Sequence, residues 1–216
     1  MASSKKFNSR IQIQIVKTYI KFLEPFEKEF AKKIKKKGLT ITVSGPAGSG
    51  KSTGAKAIAK ALRLKYVYVG KIFRDIAKRR GLSLEEFSAL REKEVDWEAD
   101  KRTLKLAMKG NVVLDGRLTG WVAGDWADLK IYYECPLEIR AERAAERDKK
   151  SKEEALRDIK KRDEEDNKKY KKLYGIDLFD KSIYDLIIDN SKFSLEDAKT
   201  IPVKLVKEFL RKKEVK

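Results

Sequence analysis

Residues 45–52 read Gly45-Pro46-Ala47-Gly48-Ser49-Gly50-Lys51-Ser52, a complete G-x-x-x-x-G-K-[ST] phosphate loop. Its flanks suit its chemistry. Leu39-Thr40-Ile41-Thr42-Val43 before it is a short β-branched apolar run fit for a buried strand, and the alanine-rich stretch from Ala55 to Leu62 after it is a good helix former. Glycines let the backbone curl so that successive N–H groups converge on phosphate oxygens, and the helix N-terminus adds partial positive charge. The predicted donor site is therefore Gly45, Pro46, Ala47, Gly48, Ser49, Gly50, Lys51 and Ser52. Lys51 reaches the β- and γ-phosphates, and the Ser52 hydroxyl ligates Mg²⁺.

A phosphate loop alone says only that a nucleoside triphosphate binds. Two other segments narrow the chemistry. Val69-Gly70-Lys71-Ile72-Phe73-Arg74-Asp75 opens a helix after a second strand, with Arg74 in its first turns. Val112-Val113-Leu114-Asp115-Gly116-Arg117 ends a third strand. Asp115, closing an apolar run, has the position of an acid that holds the water shell of Mg²⁺. Arg74 and Arg117 at the carboxyl edge of the sheet supply planar forks for a second phosphate group. The chain has no His and a single Cys, Cys135, so imidazole catalysis, an internal disulfide and cysteine-based zinc sites are excluded.

The elements that position these residues follow from pattern. Strands are predicted at 39–43, 65–69, 111–115, 129–134 and 184–189, alternating with helices. Ser83-x-x-Glu86 and Ser151-x-x-Glu154 read as capping boxes, with Ser194-x-x-Asp197 similar. Pro136 reads as a helix start, and Gly110 and Gly175 as helix stops. Alternation of this kind gives an α/β fold in three layers, a five-stranded parallel sheet covered by helices on both faces. Substrates then gather at the carboxyl ends of its strands.

In order along about 39–200, the motifs Gly-Lys-Ile-Phe-Arg-Asp, Leu-Asp-Gly-Arg-Leu-Thr-Gly-Trp, Ile-Arg-Ala-Glu-Arg, Tyr174-Gly175-Ile176-Asp177 and Ser182-Ile183-Tyr184-Asp185-Leu186 resemble the archaeal-type cytidylate (CMP/dCMP) kinases. These are a branch of the nucleoside monophosphate kinases within the P-loop kinase fold. The resemblance implies transfer of the γ-phosphoryl of ATP to CMP or dCMP with Mg²⁺, an NMP-binding region over about 71–108 and a lid over about 140–170. It extends the ATP loop to 44–53 with Thr53 at the α-phosphate, gives Arg74 and Arg117 the CMP phosphate and places Asp115 near Mg²⁺. Arg143, Arg147 and Arg162 become lid arginines that close over phosphates. Lys169 stands where an arginine is expected, so its contact would be a point charge rather than a fork. Many charges in 138–172 also read as solvated helix pairs, Glu154 with Arg157 among them. Trp121 reads equally as a stacking platform for a pyrimidine and as core. Asp96, Trp97 and Asp100 fall on the NMP-side helix, where an acid could accept from the cytosine amino group.

Bulk composition fits polyanionic ligands: 52 Lys and Arg against 34 Asp and Glu, net +18. Residues 1–38 hold eleven basic and three acidic side chains, so the charge is uneven. In that segment Ile11, Ile15, Tyr19, Phe22, Leu23, Phe26, Phe30 and Ile34 recur at helical steps, bent or broken at Pro25. Ile11-Gln12-Ile13-Gln14-Ile15 alternates and also suits a strand. Lys32–Lys37 with Gly38 reads as a basic helix end. The extension reads as a packing helix, on the domain or on a second subunit, or as a basic anchor for nucleic acid or an anionic surface; the acid-free first 23 residues also resemble a transit peptide. The expected assembly is a monomer or weak dimer in the cytosol. The rival readings are a kinase for AMP or UMP, and a nucleic-acid- or ribosome-associated NTPase.

Overall fold

The computed structural model of the chain describes residues 22–79, 81 and 93–214. Residues 22–31 form helix α1 within that range. Then follow β1 (Thr40–Ser44), α2 (Lys51–Ala61), β2 (Lys65–Tyr68), α3 (Val69–Arg79) and α4 (Lys93–Lys109). β3 (Val112–Asp115), α5 (Thr119–Ala123) and a 3-10 turn (Gly124–Trp126) come next. The chain continues as β4 (Leu129–Glu134), α6 (Leu137–Asp148), α7 (Lys152–Tyr174), β5 (Leu186–Asp189) and α8 (Asp197–Glu214). The strand ends lie within two residues of those predicted.

The five strands pair in parallel in the order β2-β3-β1-β4-β5. β1 is central, with Thr40 opposite Val112 on one side and Ile41 opposite Leu129 on the other. Every residue of β1 and β3 is buried, as a sheet covered on both faces demands. Alternation sends Ile41, Val43, Val113, Leu129, Ile131 and Tyr133 into one core with α2 and α8, where Ile58 and Val206 are fully buried. Leu114 turns to the other face, where Leu104, Met108 and Leu118 join the aromatic residues of α7. Gly54 shows how tightly α2 lies on β4: a Cβ there would fall 1.8 Å from the buried Tyr133 hydroxyl.

Local signals read from sequence hold where they are described. Ser151 and Glu154 form the reciprocal capping box of α7, and Ser194 and Asp197 exchange the same pair of bonds. Gly110 and Gly175 end α4 and α7 with positive φ, and Pro136 caps α6. The Ser83–Glu86 box lies outside the described residues.

The extension differs in part from expectation. α1 runs through Pro25 and ends at residue 31, so the basic run at 32–37 is irregular chain rather than a helix end. Its apolar side lies on the domain itself. Phe22 meets Trp97 of α4 with ring centroids 4.3 Å apart, and Lys101 sits 3.6 Å over Phe26. The Trp126 indole N–H donates to Glu27 at 2.8 Å, and the Lys37 amide to the Lys109 carbonyl at 2.8 Å. Among the described residues, α1 thus packs on the domain itself.

Candidate active site

The phosphate loop joins the buried β1 to α2, and its shape rests on three left-handed or open glycines, Gly45 (φ 145), Gly48 (φ 74) and Gly50 (φ 75). A Cβ at Gly45 would lie 2.6 Å from the Tyr133 carbonyl, so side-chain volume and conformation both select glycine. Three side chains from later in the chain fasten the loop. Arg140 donates to the Ala47 carbonyl at 2.8 Å, Asp163 accepts from the Ala47 amide at 3.1 Å, and Asn190 donates to the Ser49 carbonyl at 2.6 Å.

Lys51 opens α2 and donates to the Pro46 carbonyl at 3.0 Å. Burial pulls its pKa down to about 8; Asp115 opposes the shift, and Arg117 and Arg162 reinforce it. These four groups therefore share one electrostatic site. Asp115 is fully buried at the end of β3 and accepts from the Tyr66 hydroxyl at 2.7 Å. Burial, then the bond to Asp115, pushes the Tyr66 phenol well up, and the Ser52 hydroxyl on the same phenol opposes this. The phenol keeps its proton, so the carboxylate is oriented by a permanent donor. The other Asp115 oxygen, Oδ1, is buried without a hydrogen-bond partner.

A cleft of about 1020 Å³ spans this edge of the sheet. Strand order divides it. On the β2–β3 side it is lined by Arg74 and Phe73 of α3, Arg117 after β3, and Asp100 and Thr103 of α4. On the β4–β5 side it is lined by Arg143, Asn190, Phe193, Leu195 and Ala198. Arg147 and Arg162 border it from the α6–α7 hairpin.

The predicted arginines thus reach one cleft, each under a different constraint. Arg74 lies over the Tyr68 ring, 5.3 Å from its centroid. Arg117 is nearly buried and paired to Asp163 at 2.8 Å and Asp166 at 2.9 Å, and its Nη2 is buried without a partner. Arg143 donates to the Asn190 carbonyl at 2.8 Å, which fixes it beside the loop at the β4–β5 end. Arg147 is exposed and pairs with its neighbour Asp148 at 2.7 Å. Trp121 does not border the cleft; it is 4% exposed and belongs to the core with Met108 and Leu118. Packing is its role, not stacking on a base. Lys169, where an arginine was expected, pairs with the buried Asp96 at 2.5 Å.

Sequence reasoning missed Arg140, Asp163 and Asn190. Arg140 shares a spacing of three and seven with Arg143 and Arg147, but it is the buried member, bonded to Cys135 and Ala47 carbonyls and to Asp163 at 2.6 Å. Asn190 directly follows β5, at the edge where the functional residues of such sheets collect.

A family model described as cytidylate kinase-like matches residues 40–192, most of the chain and all of the cleft's strands. The chain is a member of the cytidylate kinase-like family. It is 52% identical over 160 residues to a cytidylate kinase of Pyrococcus horikoshii, covering 73% of this chain and 83% of that one. It is 45% identical over 175 residues to a cytidylate kinase of Staphylothermus marinus, covering 80% and 99%. The fold is that of a shikimate kinase from Bacteroides thetaiotaomicron, at a TM-score of 0.54 and 17% identity over 80% of this chain and 98% of the other. As a cytidylate kinase-like protein with an intact phosphate loop, the chain is an ATP-dependent phosphotransferase. Among the described residues no helix is long and apolar enough to cross a membrane.

Proposed function

We propose that the chain transfers the γ-phosphoryl group of ATP to CMP or dCMP, giving ADP and CDP or dCDP, with Mg²⁺ carried by the donor nucleotide. The observation that carries this reading is the second cationic site. Arg74 and Arg117 line the same cleft as Lys51, on the β2–β3 side of the donor loop. A hydrolase needs water there; a kinase needs an anion held in line with the donor. The spare Nη2 of Arg117 supplies an unused donor for that anion.

In this reading residues Gly45–Thr53 wrap the donor phosphates and Lys51 spans β and γ. Arg74 and Arg117 hold the acceptor phosphate. Arg147 and Arg162 reach inward from the hairpin as it closes and excludes water. Arg143, fixed by the Asn190 carbonyl, stands at the donor's far end. Ser52 and Asp115 fit Mg²⁺, because the orphaned Asp115 Oδ1 is an oxygen donor awaiting a partner. One carboxylate and one hydroxyl, with phosphates and water, is a set this ion takes. When bound, the ion neutralises charge on the β- and γ-oxygens. No protein nucleophile is required; the chain's residues position the reactants and stabilise equatorial charge.

The test is coupled ADP production from ATP and Mg²⁺ with CMP, dCMP, UMP, AMP and GMP, on the wild type and Arg117→Ala. Turnover on CMP or dCMP, reduced about 100-fold or more in kcat/KM by Arg117→Ala, is expected. ATP hydrolysis indifferent to every monophosphate overturns the reading, and a preference for AMP or UMP transfers it to another acceptor.

Lys51 also gives a pH dependence. Below pH 8 it is charged before ATP arrives; above that it must take up a proton on binding. ATP affinity should fall by about tenfold per pH unit above pH 8, until the raised pKa of the complex is reached. Calorimetry at pH 8.5 in two buffers of different ionisation enthalpy should register proton uptake. Its absence would mean that Lys51 carries the same charge with and without ATP.

A further inference from the structure

We infer that α1 is a strap on the acceptor side of the cleft: it holds α4, and through α4 the helix that carries Arg74, in place before the acceptor arrives. The inference rests on the acceptor reading above and adds a positioning role for residues that lie outside the cleft.

α1 and α4 run in parallel and meet in one register. Phe22 meets Trp97 with ring centroids 4.3 Å apart, Lys101 lies 3.6 Å over Phe26, and Lys105 lies 5.4 Å over Phe30. Each step is four residues on both helices, so one stripe of α1 follows one stripe of α4 over about two turns. Beside these rings Leu23 is 2% exposed and joins Leu104 and Met108 of α4 in the core. Phe22 also meets the Tyr174 ring at 6.4 Å, so the outer end of α1 bridges α4 and the C-terminal end of α7.

The inner end of α1 is anchored to the body. Residues 32–39 lead directly into the central strand β1. Along that path Lys36 pairs with Asp128, just before β4, at 2.7 Å. Glu27 accepts from the Trp126 indole at 2.8 Å. A displacement of α4 away from the sheet would therefore have to part it from a helix that is tied to β1 and to the approach of β4.

α4 is also the link to the acceptor site. Asp100 and Thr103 line the cleft, and Val95 and Ala99 share one apolar cluster with Ile72 and Ile76 of α3. Arg74 lies between those two α3 residues in the chain and lines the cleft as well. Packing thus passes from Phe22 to Trp97, from α4 to α3, and from α3 to Arg74. No described residue of α1 lines the cleft, so α1 acts on the acceptor only through α4. It also precedes residue 40, where the match to the family begins, so the strap is an addition to the shared kinase segment.

A site whose wall is in place for only a fraction of the time binds its ligand more weakly by that fraction. A strap raises the fraction, and its effect falls on the KM for the acceptor rather than on kcat at saturation.

The experiment uses the full chain as wild type, Phe22→Ala, Phe22→Leu and Val206→Ala. It combines steady-state kinetics with CMP varied, calorimetry of ATP with Mg²⁺, and amide hydrogen exchange. Phe22→Ala should raise the KM for CMP about five- to tenfold, with kcat and ATP affinity within about twofold of wild type. Phe22→Leu keeps most of the apolar contact and should restore most of that KM. Val206→Ala truncates the core on the other face of the sheet, and should lower the melting temperature with the KM for CMP within about twofold. Amides of α4 from Trp97 to Lys105 should exchange faster in Phe22→Ala than in wild type, and slow again when CMP is added. A Phe22→Ala that melts lower but keeps its KM for CMP overturns the inference, since α1 is then only a cover. An equal rise in KM in Val206→Ala overturns it too, as general loosening. So does a wild type in which these α4 amides exchange freely until CMP is added, a result that decides the matter even if no variant folds. Absence of turnover with CMP and dCMP overturns the acceptor reading instead, and the α4 exchange measured without nucleotide still tests the strap.

Discussion

Lys51→Met should lose about 10²–10³-fold in kcat while its melting temperature stays level or rises. In the ligand-free protein Lys51 makes one side-chain hydrogen bond, to the Pro46 carbonyl, and burial disfavours its charge enough to lower its pKa to about 8. An unbranched neutral side chain removes that desolvation cost and keeps the aliphatic stem. The charge is needed when negative charge builds on the transferring phosphoryl oxygens in a site shielded from water. The loss should fall on kcat more than on the KM for CMP, because Arg74 and Arg117, and not Lys51, are the proposed holders of the acceptor phosphate. Steady-state kinetics with both substrates varied, together with a thermal melt, checks this. A variant that keeps kcat within about threefold would show that Lys51 serves loop shape rather than the transition state.

How far such residues can be read from sequence depends on how locally their positions are set. The phosphate loop is a local object: β1 ends, three glycines turn the chain, α2 begins, and Lys51 and Ser52 follow by covalent geometry. Asp115 and Arg117 are nearly as local, since a strand that ends at the carboxyl edge delivers the next two residues there. Arg140 and Asp163 are different. They lie in a stretch where nearly every residue is charged, and residue type cannot say which charge is buried. That is decided by how the α6–α7 hairpin lies against the phosphate loop, a contact between residues 93 and 116 positions apart. The arginines predicted for a lid share this difficulty. Arg143, Arg147 and Arg162 look alike in sequence, yet one is clamped by backbone carbonyls and one is paired to its neighbour in solvent. α1 shows the same limit: its apolar stripe is plain in the sequence, but nothing in the stripe names Trp97 and Tyr174 as its partners.

The Asp163 carboxylate sits where the hairpin, the loop and Arg117 meet, so removing it should have the largest effect on stability. Asp163 is 5% exposed and bonds the Ala47 amide, Arg117 and Arg140 together. Arg140 is 6% exposed, and in Asp163→Ala its guanidinium loses its buried counter-charge. Stripping one partner from a buried ion pair costs about 3–5 kcal/mol. For a chain of this size that lowers the melting temperature by about 10 °C. Asp163→Asn, which can still accept from the Ala47 amide, should fall between the two. Arg140→Met in the Asp163→Ala background should recover part of the loss, since the isolated charge is then gone. That recovery separates electrostatic isolation from simple cavity formation, which a second truncation would deepen. Activity should not recover with stability. Without Asp163 the loop loses the acceptor on its Ala47 amide, and α7 loses its tie to the site at the point where the hairpin turns from core into cover. The hairpin's outer part, around Arg147 and Asp158, is joined to the rest by exposed charge pairs that readily yield. In the proposed closure Asp163 and Arg140 are the fixed end of the hairpin, and removing them should lower kcat in the double variant even when its fold is restored.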